Sequence, residues 1–270
     1  MLNNKIPHSE WPIFSSEIKL PESLYEKSIS INEKLINNEL DYNRFSSNKL
    51  KELYSKLSKY NNSDIESRIN IERPEQELIV KYLPTECCVL EFGGESGTTS
   101  LLINKIIKDP NKHVIIEPSF NSIIKLNKTA EIYNTKYKIV HGFIGKNREI
   151  HKKLWPECEI SKMYDLKEIN KLVDENFDVL VIDCEGAFYN ILKEFPEILD
   201  NIKLIIIEND GPHENIPYIR ETIKKNNFIL IHSQTHPFLN TEWNITKIND
   251  YKIFKNSNNI IGFHEVYVKI

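Results

Sequence analysis

The chain has 270 residues, 35 Lys and Arg against 39 Asp and Glu, a net charge of −4 and a pI near 6.1. That balance gives no general attraction to a phosphate backbone or an anionic lipid surface, which argues against nucleic acid and membrane as partners. No run of 18 or more apolar residues occurs, so a transmembrane helix is excluded. The start, Met1-Leu2-Asn3-Asn4-Lys5-Ile6-Pro7, has no apolar block of the secretory kind, and Cys87, Cys88, Cys158 and Cys184 are too few and too irregularly spaced for a disulfide scaffold or a zinc site. A cytoplasmic protein in a reducing compartment is expected, its cysteines serving as small hydrophobes.

Residues 1–70 are polar, with apolar positions spaced for helices. Leu50, Leu53, Tyr54 and Leu57 recur at i, i+3, i+4 and i+7, behind Ser46 and Ser47 as caps. This predicts an N-terminal helical extension, either a lid over the acceptor pocket or an oligomer contact. From 71 to 270 strand-length apolar runs alternate with amphipathic helices, the pattern of a parallel α/β sheet. A helix over Pro74 to Leu83 carries Leu78, Ile79, Tyr82 and Leu83 on one face. Cys87 to Phe92 is the first strand, and a glycine turn leads to a helix through Leu101, Leu102, Ile106 and Ile107. His113 to Glu117 is the second strand, followed by a helix with Phe120, Ile123, Ile124 and Asn127 aligned. Tyr137 to His141 is the third. The stretch 142–176 is a connection with a short helix near 166–173. Phe177 to Asp183 is the fourth strand, and its helix ends at Pro196. Lys203 to Glu208 is the fifth, before a helix over 215–226. Phe228 to His232 and Glu265 to Ile270 complete seven strands. Continuous runs such as Val179-Leu180-Val181-Ile182 predict strands covered on both faces, hence a doubly wound, mostly parallel, Rossmann-like sheet.

Ligands of such sheets bind beyond the carboxyl ends of the strands, where strand order reverses. Informative polar residues, mostly acidic, stand there repeatedly: Glu91 after the first run, Glu117 after the second, Asp183 and Glu185 after the fourth, and Glu208, Asn209 and Asp210 after the fifth. One such residue is an ordinary solvated turn. Four strand ends so marked on one rim would repel one another unless a cationic ligand, a metal or solvent offset them.

The segment Val89-Leu90-Glu91-Phe92-Gly93-Gly94-Glu95-Ser96-Gly97 places glycines for a tight turn and close ligand approach. Its Gly-x-x-x-Gly spacing is not the dinucleotide fingerprint, and Glu91 suits an ammonium group better than a pyrophosphate. Glu117, about 20 residues past the turn, can accept both ribose hydroxyls of a nucleoside. Together these features point to S-adenosylmethionine rather than NAD.

With these residues in view, the sequence over 71–270 resembles the class I S-adenosylmethionine-dependent methyltransferases, and within them the FkbM type. Val89 to Gly97 is similar to the first motif of that family, Val114 to Pro118 to the second, and Lys138 to Gly145 to the third-strand region. Ile182-Asp183-Cys184-Glu185-Gly186-Ala187 matches the signature Ile-Asp-x-Glu-Gly-Ala, and Ile205 to Glu208 the strand after it. Phe188 stands where the signature usually has a second acidic residue, and Glu91 where an aspartate is frequent. The resemblance implies that Glu91, Gly93 and Gly97, with Asp183, line the methionine part of the cofactor. It implies that Glu117 holds the ribose and that Gly142 and Phe143 lie near the adenine. It further implies O-methylation of a hydroxyl on a small molecule or glycan.

In-line methyl transfer to a hydroxyl needs an aligned acceptor and a proton acceptor. Asp183 and Glu185 are the leading candidates, with Glu208 and His213 in reserve. Asp183, Glu208 and Asp210, with Glu185 beside them, are also hard oxygen donors of the kind Mg2+ takes, although no spacing demonstrates a metal. His141 ends the third strand and could flank the nucleoside. Trp11, Trp155 and Trp243 could line a sugar pocket or simply pack. The competing readings are an RNA 2'-hydroxyl methyltransferase, a catalytically inactive nucleoside-binding module and, more distantly, a nicotinamide dehydrogenase. A homo-oligomer stays open.

Overall fold

The computed structural model describes residues 72–147, 161–234 and 263–270, together with Leu53, Ser55 and Cys158. The first parallel unit runs from helix α1 (Arg73–Tyr82) into strand β1 (Val89–Phe92), helix α2 (Thr98–Ile106), strand β2 (His113–Glu117), helix α3 (Phe120–Tyr133) and strand β3 (Lys138–Ile144). A short strand β4 (Lys162–Tyr164) and helix α4 (Leu166–Asn170) follow. The second unit is β5 (Val179–Ile182), α5 (Phe188–Glu194), β6 (Leu204–Glu208), α6 (Ile216–Lys225), β7 (Phe228–Gln234) and β8 (His264–Lys269).

The sheet order is β4-β3-β2-β1-β5-β6-β8-β7. From β1 the chain steps outward through β2 and β3 to β4, then returns to lay β5 on the other side of β1, so the order reverses between β1 and β5. Leu90 pairs with Val114 on one side and Leu180 on the other, all parallel. Only β8 is reversed, inserted antiparallel between β6 and β7. The Rossmann-like, doubly wound, mostly parallel sheet expected from the alternating pattern is therefore present.

Strand alternation sorts the core. Leu90, Phe92, Leu180, Ile182, Ile205 and Ile207 face α5 and α6 through Phe188, Leu192, Ile219 and Ile223. Val89, Val179, Val181, Leu204 and Ile206 face α1 and α2 through Leu78, Ile79, Leu102 and Ile103. Each fully buried Leu, Ile or Val side chain contributes about 1.5–3 kcal/mol from removal of apolar surface, so this central slab is the rigid platform for the strand ends. The four cysteines are unbridged, and all but Cys184 are buried. Among the described residues no helix is long and apolar enough to cross a membrane.

Two features differ from expectation. The described residues form eight strands, not seven, because β3 continues past His141 and Gly142 to Ile144 pair with Lys162 to Tyr164. Three residues cannot display a two-residue period, and a glycine in an apolar run reads as a strand end. Here it is the opposite: a Cβ on Gly142 would lie 2.2 Å from the Lys162 carbonyl oxygen, so glycine is what admits β4 to the edge. The short helix begins at an Asp165–Glu168 capping box and already stops at Asn170. Of the N-terminal extension, Leu53 and Ser55 are helical and Leu53 packs on the α1 side of the core. The rest of 1–70, with Trp11, Trp155 and Trp243, lies outside the described residues.

Candidate functional site

The turn after β1 lies where strand order reverses. Gly93 has φ +84° and Gly97, at the start of α2, has φ +80°, conformations that cost a residue with a Cβ about 1–2 kcal/mol. Gly93 has the tighter surroundings. Its N–H donates to the Ile116 carbonyl at 2.9 Å, and the Asp183 N–H donates to the Phe92 carbonyl at 2.9 Å. A Cβ on Gly93 would stand 1.7 Å from the Asp183 carbonyl oxygen. The ends of β1 and β5 thus touch backbone to backbone, and glycine is the only side chain that fits.

Glu117, at the end of β2, grips this turn. Its Oε2 accepts from the N–H groups of Gly94 and Glu95 at 3.0 and 3.1 Å, and its Oε1 accepts from the Ser119 N–H at 2.7 Å. It is 5% exposed. Burial raises its pKa, against the pull of the three amide bonds. A carboxylate offers about four lone-pair positions, and three are occupied. Expected to take ribose hydroxyls, Glu117 is seen to bind the glycine turn, with about one acceptor position left over.

Glu91 is placed differently from the expectation as well. It is 1% exposed and turned into the α2 face of the sheet, with Oε1 accepting from Ser100 Oγ at 2.9 Å and Oε2 2.7 Å from His113 Nε2. His113 is itself fully buried, edge-on to the Tyr137 ring. Alternation decides this, since Glu91 shares the face of Val89 rather than that of Phe92. Its charge is answered inside the core, so it does not face a ligand ammonium. Ser100 and His113, not singled out in the sequence, are its partners.

The other rim carboxylates do come together. Oxygens of Asp183, Glu208 and Asp210 all lie within 4.8 Å of one another, and so do those of Glu72, Glu75 and Asp183. Asp183 is the shared corner. Burial pushes its carboxyl well above the usual range, and Glu208, Glu75, Glu72 and Asp210 push it the same way. Glu75 is raised by burial and then by Glu72, Glu208 and Glu91. Asp210 is pushed up to about 8 by burial, Glu208 and Glu185, although the N–H groups of Glu185 and Gly186 donate to its two oxygens at 2.6 and 3.0 Å. Those bonds tie the loop after β5 to the loop after β6. Glu208 Oε2 is 2.9 Å from His264 Nε2 on β8. Among the described residues, no Lys or Arg forms an ion pair with Glu75, Asp183 or Asp210.

The remaining candidates scatter. Glu185 is exposed at the mouth with φ +50° and stands outside both carboxylate triads. Asn209 is buried and donates to Glu265, which also takes Arg220 and Tyr267, so it braces β6 against β8 and α6. Phe143 is 6% exposed and Gly142 is closed off by β4, leaving His141 and Phe120 as the accessible groups at that end. The His141 Nε2 sits 3.1 Å from the Pro118 carbonyl and its ring 6.0 Å from that of Phe120. His213 opens the turn His213–Asn215 before α6, and its side chain is outside the described residues. Glu72 and Glu75 escaped the sequence reading, yet a signal existed. Glu75 lies three, four and seven residues before Leu78, Ile79 and Tyr82, which puts a carboxylate on the apolar stripe of α1.

No family model matches the sequence, and no curated protein matches it significantly. Solved structures with a similar fold include an O-methyltransferase from Bacillus cereus in complex with SAH, at 14% identity over 90% of this chain and 99% of that one, with a TM-score of 0.45. An rRNA methylase from Streptococcus thermophilus is 13% identical over 75% of this chain and 96% of its own, with a TM-score of 0.42. A ribosomal protein L11 methylase from Lactobacillus delbrueckii subsp. bulgaricus is 12% identical over 74% and 78%, with a TM-score of 0.39.

Proposed function

We propose that this protein is an S-adenosylmethionine-dependent methyltransferase that methylates a hydroxyl group on a small molecule or glycan, in line with the FkbM-type resemblance of its sequence. The observation that carries the reading is the meeting of three strand ends at the reversal point. Glu117 on β2 holds the amides of the glycine turn after β1, and Gly93 in that turn lies against the backbone of Asp183 on β5. Because Gly93 has no side chain, the ends of β1 and β5 close together there and Asp183 stands beside the glycine turn, and the acidic residues at these strand ends suit a cationic nucleoside.

When bound, the cofactor supplies an electrophilic methyl on a sulfonium. The chain's own residues supply the rest. The glycine turn offers main-chain contact, and Glu117 has one acceptor position for a ribose hydroxyl. Asp183, held in an anionic and buried setting, has its proton affinity raised, the direction that suits a carboxylate taking a proton from the acceptor. Glu185, exposed at the mouth, can orient the acceptor.

Calorimetry with S-adenosylmethionine and S-adenosylhomocysteine, followed by transfer of labelled methyl to a panel of hydroxylated acceptors, tests this. Binding of both nucleosides is expected, with Asp183→Asn lowering kcat on the order of 100-fold or more while S-adenosylhomocysteine still binds. Absence of affinity for either nucleoside defeats the reading. Full turnover in both Asp183→Asn and Glu185→Gln removes those two residues from it.

A further inference from the structure

Glu75 is 1% exposed, and its Oε1 meets no hydrogen-bond donor among the described residues. Its Oε2 takes only the Thr99 hydroxyl, at 3.3 Å. A buried carboxylate oxygen without a donor costs free energy, and a native structure keeps one where something else completes it. The charged groups around it among the described residues are acidic, so a positive group or a proton is what would complete it. Glu72, one position before α1, and Asp183, at the end of β5, each bring an oxygen within 4.8 Å of that of Glu75 and of each other. We propose that Glu72, Glu75 and Asp183 form a binding site for a hard divalent cation of the calcium or magnesium kind. The cation joins the first turn of α1 to the end of β5.

The donor chemistry fits. Three carboxylates are hard oxygen ligands, and oxygens no more than 4.8 Å apart can share one calcium ion bound at roughly 2.3–2.6 Å from each. Asp183 also belongs to the triad with Glu208 and Asp210, so a positive charge at this corner relieves repulsion across the whole rim. The partner amides of Asp210 keep that residue in place behind the site. This inference stands on carboxylate geometry and goes beyond methyl transfer, which does not by itself require a cation.

The full chain, stripped with a chelator, is titrated with CaCl2, MgCl2 and MnCl2 separately by calorimetry. Thermal unfolding is followed in parallel, with NaCl at matched ionic strength as control. One saturable site is expected for at least one of the three, with a Tm that rises with cation concentration beyond the NaCl control. Glu75→Gln keeps the side-chain shape and removes one charge from a crowded anionic cluster. It is expected to fold, and to weaken cation binding at least tenfold. Glu72→Gln makes the same test should the first variant fail to fold. No saturable binding of any of the three cations, or cation affinity unchanged in Glu75→Gln, overturns the site. S-adenosylhomocysteine affinity measured in the same chelated samples keeps the two readings apart. Nucleoside binding without cation binding sinks only the cation site, and cation binding without nucleoside binding sinks only the transferase.

Discussion

Replacing Gly93 by alanine tests the contact on which the crevice depends. The added Cβ would sit 1.7 Å from the Asp183 carbonyl oxygen and 2.9 Å from its carbonyl carbon, atoms of a backbone that cannot swing aside as a side-chain tip can. A relaxed contact needs about 3.5 Å, so the ends of β1 and β5 have to part or the Asp183 peptide has to turn. Either movement strains the flanking hydrogen bonds from Gly93 to Ile116 and from Asp183 to Phe92. Losing one in a buried place costs about 1–3 kcal/mol. The left-handed φ of +84° adds about 1–2 kcal/mol for a residue with a Cβ. Together these give about 2–5 kcal/mol, or a fall in Tm on the order of 10 °C for a domain of this size. Gly97→Ala is the matched control. Its φ is +80°, but its new Cβ would meet only side chains, Leu126 at 3.2 Å and Thr129 at 3.3 Å, so about 1–2 kcal/mol is expected. Urea and thermal unfolding of the two variants against the parent provide the measurement. Gly93→Ala no more destabilised than Gly97→Ala would mean that β1 and β5 do not touch as described, and the crevice argument would go with them.

Stability should fall as pH rises in chelated protein. Asp210, at about 8 when folded, lies above its unfolded value of about 3.9, and Asp183 and Glu75 are displaced in the same direction. Their protonated forms favour the fold, so the contribution is complete below about pH 4 and is lost as pH climbs toward 8. The charged or ionisable groups that face these three are Glu72 from the start of α1, Glu185 after β5, Glu208 after β6 and, through Glu208, His264 from β8. A urea midpoint that stays flat or rises between pH 5 and 8.5 contradicts it. Ser100→Ala should cost about 1–3 kcal/mol by leaving Glu91 Oε1 buried without a donor, yet change S-adenosylhomocysteine affinity less than twofold. An affinity loss matching the stability loss would return Glu91 to the ligand site.

The sequence reveals whatever depends on one element at a time. Val179-Leu180-Val181-Ile182 reads as a strand covered on both faces, and each of the four is at most 1% exposed. The second strand is found to the residue, His113–Glu117, because apolar residues run to a clear acidic end. What escapes depends on two elements meeting. Glu91 looks like a rim carboxylate until its strand is paired, when alternation turns it toward Ser100 and His113, 9 and 22 residues away. The place of β8 between β6 and β7 likewise has no local signature, since it is set by which sheet edge the last segment reaches. Glu75 is a different case. Its position on the apolar stripe of α1 was available from spacing alone, and apolar periodicity drew attention to its neighbours instead.

Three carboxylates buried to nearly the same degree show why the rim is more than a set of solvated turns. Glu91 is 1% exposed and has a hydroxyl and an imidazole for its two oxygens. Glu117 is 5% exposed and has three backbone amides. Both are satisfied within the fold, Glu91 against α2 and β2 and Glu117 on the glycine turn. Glu75 is as buried as Glu91 but has one long hydroxyl contact, an oxygen with no donor, and acidic neighbours where a counterion would be expected. Folding alone gives no reason to retain it, because a leucine at that position of α1 would extend the stripe of Leu78, Ile79 and Tyr82 at no electrostatic cost. Residues that break a local rule without an internal compensation gather where a protein does its chemistry. On that reasoning the corner where α1, β5 and β6 converge is the proposed working end of this sheet, and Asp183 is the residue that the transfer and cation proposals share.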